Sequence, residues 1–307
     1  LVGKWHLGYD PKFSPNKNGF DYFFGFNAGG IDYVSHKNPR GRPDLYENEK
    51  AITREGYITD IWGEKAIEII RQKHRKPFFL GVMFNAPHWP WQAPGDKPYP
   101  DTLNWHKGGT QEKYAAMMKS LDDAVGRIMQ AIDDEKMASN TLVIFTSDNG
   151  GEEFSDMGIY SGIKETLWEG GIREPAFIRW PGVIPANSVT QQVAVTMDWT
   201  ATILAVAGAK PDPAFPLDGI NILPVCTGKK KTGSRTLYWR LFQETKHKAV
   251  REGDWKYLQT EKGEFLFNLL NDPGERNDLK EKNPALFLHL KDKYREWEKQ
   301  VLPPVEL

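Results

Sequence analysis

Asp148 and Asn149 stand side by side in the phrase SDNGG, directly after the apolar run LVIFT at 142–146. A carboxylate beside an amide oxygen is hard-oxygen ligand chemistry, suited to calcium or magnesium. The glycines that follow let backbone approach closely. The same residues also fit a plain Asx turn ending a strand. His88 lies in NAPHWPWQAP, directly after a second apolar run, FFLGVMF at 78–84. Prolines on both sides fix that loop, and a rigid loop suits a side chain that must be placed to a fraction of an ångström. A packed or solvated histidine fits the local pattern equally. GKWHLG opens the chain. In an extended segment Lys4 and His6 share a face, and a cation with an imidazole suits an anionic group or a proton transfer. An ordinary half-exposed strand is the plain alternative. Lys164 sits in SGIKETLWEGGIREP, before Gly170, Gly171 and Arg173, where a lone lysine would ordinarily be solvated.

Elements of regular period must hold these residues. The runs 78–84 and 142–146 have strand length and no polar face, which predicts strands buried on both sides. PAFIRW at 175–180 predicts another. Ile58, Ile61, Trp62, Ala66, Ile69 and Ile70 recur at helical spacing and predict a helix over 57–73. Tyr114, Met117, Leu121, Val125, Ile128 and Ile132 predict one over 110–136, with Thr110 as cap. Residues 197–207 predict a helix closed by Gly208. The segment 1–50, rich in Gly, Asn and aromatics, shows neither period and predicts ordered loop. Helices alternating with apolar strands predict an α/β fold, a largely parallel sheet sandwiched by helices. After Cys226 the pattern changes. RTLYWRL and HKAVREGDWKYLQT alternate as antiparallel strands do, with Gly253 between two of them. A last helix begins at Asn283–Pro284, with Leu286, Leu290, Tyr294, Trp297 and Val301 as its stripe. This predicts a smaller C-terminal α+β domain.

Composition excludes several classes. The 307 residues carry 40 basic and 41 acidic side chains, a net charge of −1. No general field draws in nucleic acid or anionic membrane. The lone Cys226 excludes an intrachain disulfide and a cysteine zinc cluster. No run of about 18 apolar residues predicts a transmembrane helix. With 39% hydrophobic and 26% charged residues, wholesale disorder is excluded. The 28 glycines and 21 prolines predict much shaped loop.

In this order and spacing, GKWHLG, GFDYFFGF, APHWPWQAP, SDNGG and GIKETLWEGGIREP resemble the sulfatases, within the alkaline phosphatase superfamily. TMDWTATILAVAG followed by LDGINILP is similar to the helix and loop that close that family's large domain. DWKYL and FLFNLLNDPGERNDL are similar to its small domain. The resemblance implies an alkaline phosphatase-like fold, incomplete at the N-terminus, with 1–227 from the catalytic domain and 228–307 as the small domain. It implies Asp148 and Asn149 as two ligands of a calcium ion, and His88 and Lys164 as the sulfate-binding pair. It implies Lys4 and His6 as catalytic residues beside the nucleophile, Lys4 holding its charge and His6 assisting collapse of the intermediate. The substrate implied is an aryl or carbohydrate sulfate, and the compartment periplasmic, secreted or lysosomal. SDNG, where phosphodiesterases and phosphonatases of the superfamily resemble SDHG, favours calcium and sulfate chemistry.

The chain departs from the family in one respect. Sulfatases use a formylglycine made from Cys or Ser in C/S-x-P-S/T-R, and these 307 residues contain no such motif. The paired acidic ligands of the family's first strand are absent as well. A fragment of a sulfatase is therefore expected, with calcium bound poorly by Asp148 and Asn149 alone and negligible turnover by the chain itself. A non-catalytic sulfate- or glycan-binding relic is the alternative from another class, and a phosphonate or phosphodiester hydrolase a third. His36, His74, His106, His247 and His289 are expected to be structural or solvated. Glu152 and Glu153 are expected in a solvated loop, and Trp89 and Trp91 are candidate substrate contacts.

Overall fold

A computed structural model describes residues 1–99, 104–242 and 245–303. They form two compact units, Leu1–Thr141 and Leu142–Leu307.

In the first unit, β1 (Val2–Lys4) lies between β2 (Phe24–Phe26) and β5 (Val82–Met83) and pairs with both in parallel. β3 (Tyr46–Glu47) and β4 (Lys50–Ala51) extend the sheet antiparallel beyond β2. Two glycines set the closeness of these strands. A Cβ on Gly3 would lie 2.1 Å from the Met83 carbonyl oxygen, and one on Gly25 would lie 1.9 Å from that of Gly3. Helix α1 (Ile58–Arg71) buries Ile58, Ile61, Trp62, Ala66 and Ile70. Trp62 stacks on Phe26 at 6.1 Å and meets Phe24 edge-on at 5.8 Å. Helix α2 (Gln111–Asp134) begins where Thr110 Oγ1 accepts from the Lys113 amide, and it packs on α1 with Arg127 donating to Asp60.

The segment 1–50 is thus not simply loop. It holds four strands of two or three residues, too short for alternation to register. The run 78–84 forms a strand only at Val82–Met83, with Phe79 57% exposed, so it is not buried on both faces. β5 ends the described sheet, paired on one side only by β1.

In the second unit, β6 (Val143–Thr146) and β7 (Ala176–Arg179) form an antiparallel ribbon. Phe145 and Phe177 lie 6.2 Å apart on it, and Phe177 is 64% exposed. Double-sided burial of 142–146 is therefore not found either. An apolar run fixes strand length but not which faces are covered. The short helix α3 (Glu169–Ile172) precedes β7. Helix α4 (Thr196–Val206) ends before Gly208, as expected, and α5 (Leu223–Cys226) follows it.

Four antiparallel strands, β8 (Thr236–Phe242), β9 (Lys246–Glu252), β10 (Trp255–Thr260) and β11 (Gly263–Asn268), follow in the order β11-β10-β9-β8. Gly253, at φ +58°, makes the turn between β9 and β10. Alternation divides this sheet cleanly. Val250, Tyr257 and Leu266 face helix α6 (Pro284–Glu298) through Leu290 and Tyr294. Ala249, Leu258 and Phe267 face Leu167, with Trp168 packed against that cluster. The loop that carries Lys164 thus covers the second face of the sheet. Parallel and antiparallel strands with flanking helices, then an antiparallel C-terminal sheet, match the fold class expected. Among the described residues no helix is long and apolar enough to cross a membrane.

Candidate active site

In the second unit, Ser147, Asp148 and Asn149 leave the carboxyl end of β6. Ser147 Oγ donates to the Asn149 carbonyl at 3.2 Å, and Asn149 Nδ2 donates to the Gly150 carbonyl at 3.0 Å. The Asn149 nitrogen is thereby engaged, and its Oδ1 is the side chain's acceptor atom. Gly150 and Gly151 then bring two motifs together. The Gly150 amide donates to the Gly171 carbonyl at 3.0 Å, and the Lys164 amide donates to the Gly151 carbonyl at 2.9 Å. A Cβ on Gly150 would stand 2.0 Å from the Gly170 carbonyl oxygen. Only glycine allows that approach, so SDNGG and GIKETLWEGG form one body.

Lys164 is half-buried, and its Nζ donates to Glu152 Oε2 at 3.3 Å. Glu152 is therefore not simply a solvated loop residue. Its link to Lys164 runs between two loops, which no local sequence signal marks. Glu174, just before β7, is the other residue missed. Burial, with Asp148's charge adding to it and a bond to Ser147 opposing, pushes its carboxyl up to about 7. Its Oε1 is buried without a hydrogen-bond partner. The Asp148 and Glu174 carboxyls thus lie close enough to interact, and the charged form of Glu174 is disfavoured there. Carboxylate and amide oxygens fit a hard cation in kind. They fall short in number, because no group of three His, Cys, Asp or Glu among the described residues could hold an ion.

In the first unit, β1 and β5 run parallel, so Lys4 and the loop beginning at Asn85 leave the sheet at the same edge. The Trp5 amide donates to the Phe26 carbonyl at 2.9 Å, and the chain then turns at His6, whose φ is +60°. Lys4 and His6 therefore do not lie on one extended face, because the left-handed residue breaks the alternation. The His6 ring rests against Gly29, where a Cβ would come 2.5 Å from Nε2. Asp44 fixes the backbone just before that glycine, accepting from the Ala28 amide at 2.9 Å and the Asn27 amide at 3.4 Å. Burial, opposed by those two bonds, pushes the Asp44 carboxyl up to about 6.

The His88 loop is pinned at several points. Trp62 Nε1 donates to Asn85 Oδ1 at 2.9 Å, Tyr33 Oη to the His88 carbonyl at 2.8 Å, and Gln92 Nε2 to Asp32 Oδ2 at 3.0 Å. His88 Nδ1 lies 2.8 Å from the Trp89 carbonyl oxygen. A carbonyl only accepts, so Nδ1 carries the proton in that bond. Trp89 sits between the rings of His88, at 4.4 Å, and His106, at 3.9 Å. Trp91 is 2% exposed and packs against Tyr114, so it is a core residue and not a surface contact. His36, whose Nε2 donates to the Gly56 carbonyl at 3.0 Å, and His247, beneath the Lys164 loop, are buried structural histidines as expected.

The sulfatase family model matches residues 1–209. A model described as N-sulphoglucosamine sulphohydrolase, C-terminal, matches 157–300. N-acetylgalactosamine-6-sulfatase of Homo sapiens is 34% identical over 261 residues, covering 78% of this chain and 48% of that protein. Arylsulfatase J of Mus musculus is 29% identical, covering 99% of this chain and 60% of that one. The chain thus spans about half the length of the first of these relatives. A solved structure, Ps i-CgsB in complex with k-i-k-neocarrahexaose, superposes with a TM-score of 0.83 at 29% identity, covering 96% of this chain and 70% of its own.

Proposed function

The chain belongs to the sulfatase family, and on that premise we propose that it carries most of the anion-binding machinery of a sulfuric ester hydrolase. The substrate class we propose is a carbohydrate or aryl sulfate. The contact that carries this reading is the bond from the Lys164 amide to the Gly151 carbonyl, 2.9 Å long. It joins the loop of the candidate cation ligands to the loop of the candidate sulfate lysine.

In this reading Lys164 Nζ and His88 Nε2 hold the sulfate oxygens. Negative charge builds on the leaving oxygen as the S–O bond breaks, and fixed cations aimed there lower the barrier. Lys4 and His6 serve the nucleophile, Lys4 by its charge and His6 by proton transfer. Asp148 and Asn149 would hold calcium, which when bound supplies positive charge toward the sulfate. The 307 residues include no formylglycine motif, so we assign them ester binding and not turnover. A division of the whole protein near residue 227 belongs to the same proposal, supported by the position of β8–β11 and α6 after it.

The test is a calorimetric titration of the chain with phenyl sulfate and with phenyl phosphate, in calcium, beside a phenol-release assay. Sulfate binding without release is the expected result. Release by the chain itself overturns the ester-binding-only assignment. Tighter binding of the phosphate, or no binding of either, overturns the sulfatase-site reading.

A further inference from the structure

Beneath the Lys164 loop lies a buried charge cluster that the chemistry above does not use. Lys256, on β10, is 0% exposed. Its Nζ meets Glu169 Oε1 at 2.9 Å and Glu275 Oε1 at 2.8 Å. The Glu169 amide also donates to Glu275 Oε2 at 2.6 Å. Arg173 and Arg251 approach the second Glu169 oxygen at 3.6 and 3.9 Å. A cation with no solvent is costly to bury, and it is retained only with good partners. Glu275 adopts φ +54°, a left-handed conformation that residues with a side chain rarely take.

The cluster is one of several contacts between this loop and the antiparallel sheet with its connecting loops. The Leu167 amide donates to His247 Nδ1 at 3.1 Å, and Thr245 Oγ1 donates to the Glu165 carbonyl at 2.7 Å. Ser161 Oγ donates to the Gly274 carbonyl at 2.5 Å. From Glu169 the path to the candidate ligands is short. Gly171, two residues on, accepts the Gly150 amide, and Gly150 follows Asn149 directly. Lys164 hangs from Gly151 in the same body.

We propose that Lys256 is a positioning residue for the anion and cation site. Through Glu169 it holds the loop of Lys164 and the turn of Asp148 and Asn149 in one geometry. The C-terminal sheet is thereby part of the site's scaffold, although none of its strands supplies a candidate ligand. The functional half of this inference rests on the site reading given above, whereas the mechanical half does not.

The test uses the whole chain. Lys256→Met combined with Glu275→Gln removes one charge of each sign, so the cluster's net charge is kept and folding is protected. Hydrogen exchange is followed by mass spectrometry well below the melting temperature. Expected is faster exchange, as local opening becomes easier, confined to peptides from 147–171. Peptides of β8, β9 and β11 keep their protection. Phenyl sulfate affinity falls about tenfold, the scale on which such supporting partners act, and Lys256→Arg restores both readouts. Unchanged exchange in 147–171, or an equal rise throughout the sheet, overturns the proposal. If the pair does not fold, Lys256→Arg and Glu169→Gln give the same comparison. If the unsubstituted chain does not bind phenyl sulfate, the site reading fails, and the exchange data still decide the positioning.

Discussion

Lys164 and Glu152 form an ion pair at 3.3 Å between two loops whose backbones are themselves bonded at Gly151. The ammonium proposed to meet a sulfate oxygen therefore already has an anionic partner. An incoming sulfate competes with that carboxylate for the same charge.

Replacing Glu152 by Gln should strengthen inorganic sulfate binding. A half-exposed pair of this kind is worth up to about 1 kcal/mol, so the gain should be severalfold at most. Lys164→Ala should abolish the binding in either background. Calorimetry with sodium sulfate measures both. Weaker binding in Glu152→Gln would show that the carboxylate aims the lysine more than it opposes the anion.

Calcium should bind this chain weakly, because Asp148 and Asn149 supply two oxygens where the ion takes 6–8. An affinity no tighter than about 1 mM is expected, at the weak end of protein calcium sites. Asp148→Ala should remove it. The shift of the melting temperature with added calcium reports the effect, and a micromolar affinity would mean that further ligands close around the ion.

Gly29→Ala should displace His6. The new Cβ would come 2.5 Å from Nε2, too close for any real contact, so the ring must turn away. Misplacing a reacting group by about 1 Å can cost about a hundredfold in rate. In a turnover-competent protein bearing this chain, kcat should fall on that scale. The chemical shift of the His6 ring checks the displacement independently, and an unmoved ring would refute it.

Asp44 predicts a specific pH dependence. Its folded carboxyl titrates at about 6, above the ordinary 3.8. Between those values the folded chain keeps a proton that the unfolded chain releases, so stability from this group is lost as pH rises through about 6. Above that both states are ionised and the slope from this group ends. The stability difference between the natural chain and Asp44→Asn should therefore shrink by roughly 2 kcal/mol across the window. A difference that stays flat from pH 4 to 7 contradicts the assignment.

The long helices were legible because many turns repeat one face. α1, α2 and α4 fall within a residue or two of the spans that periodicity marks, α6 begins at Pro284 as marked but ends at Glu298, short of Val301, and Thr110 caps α2 as its type suggests. The alternation of β8, β9 and β10 was legible for the same reason. Strands of two or three residues were not, since β1 to β5 give a pattern nothing to repeat. His6 defeats a same-face argument because a single positive φ resets the period. Lys256 is the sharpest case. Alternation places it on a strand, but nothing local says that Glu169 and Glu275, far away in sequence, make an interior position tolerable for an ammonium. The types and order of the candidate site residues were visible in the motifs. Their mutual support, through Gly150, Gly151, Gly170 and Gly171, appears only in three dimensions.

The left-handed backbone at His6 puts durability and chemistry in opposition at one position. A residue with a Cβ costs roughly 1–2 kcal/mol there relative to glycine, which adopts the same φ freely. Every folded molecule carries that cost for the sake of an imidazole. Variants chosen for heat resistance alone should therefore drift toward glycine at this site, and the hardier chain that results would have lost its proposed proton carrier.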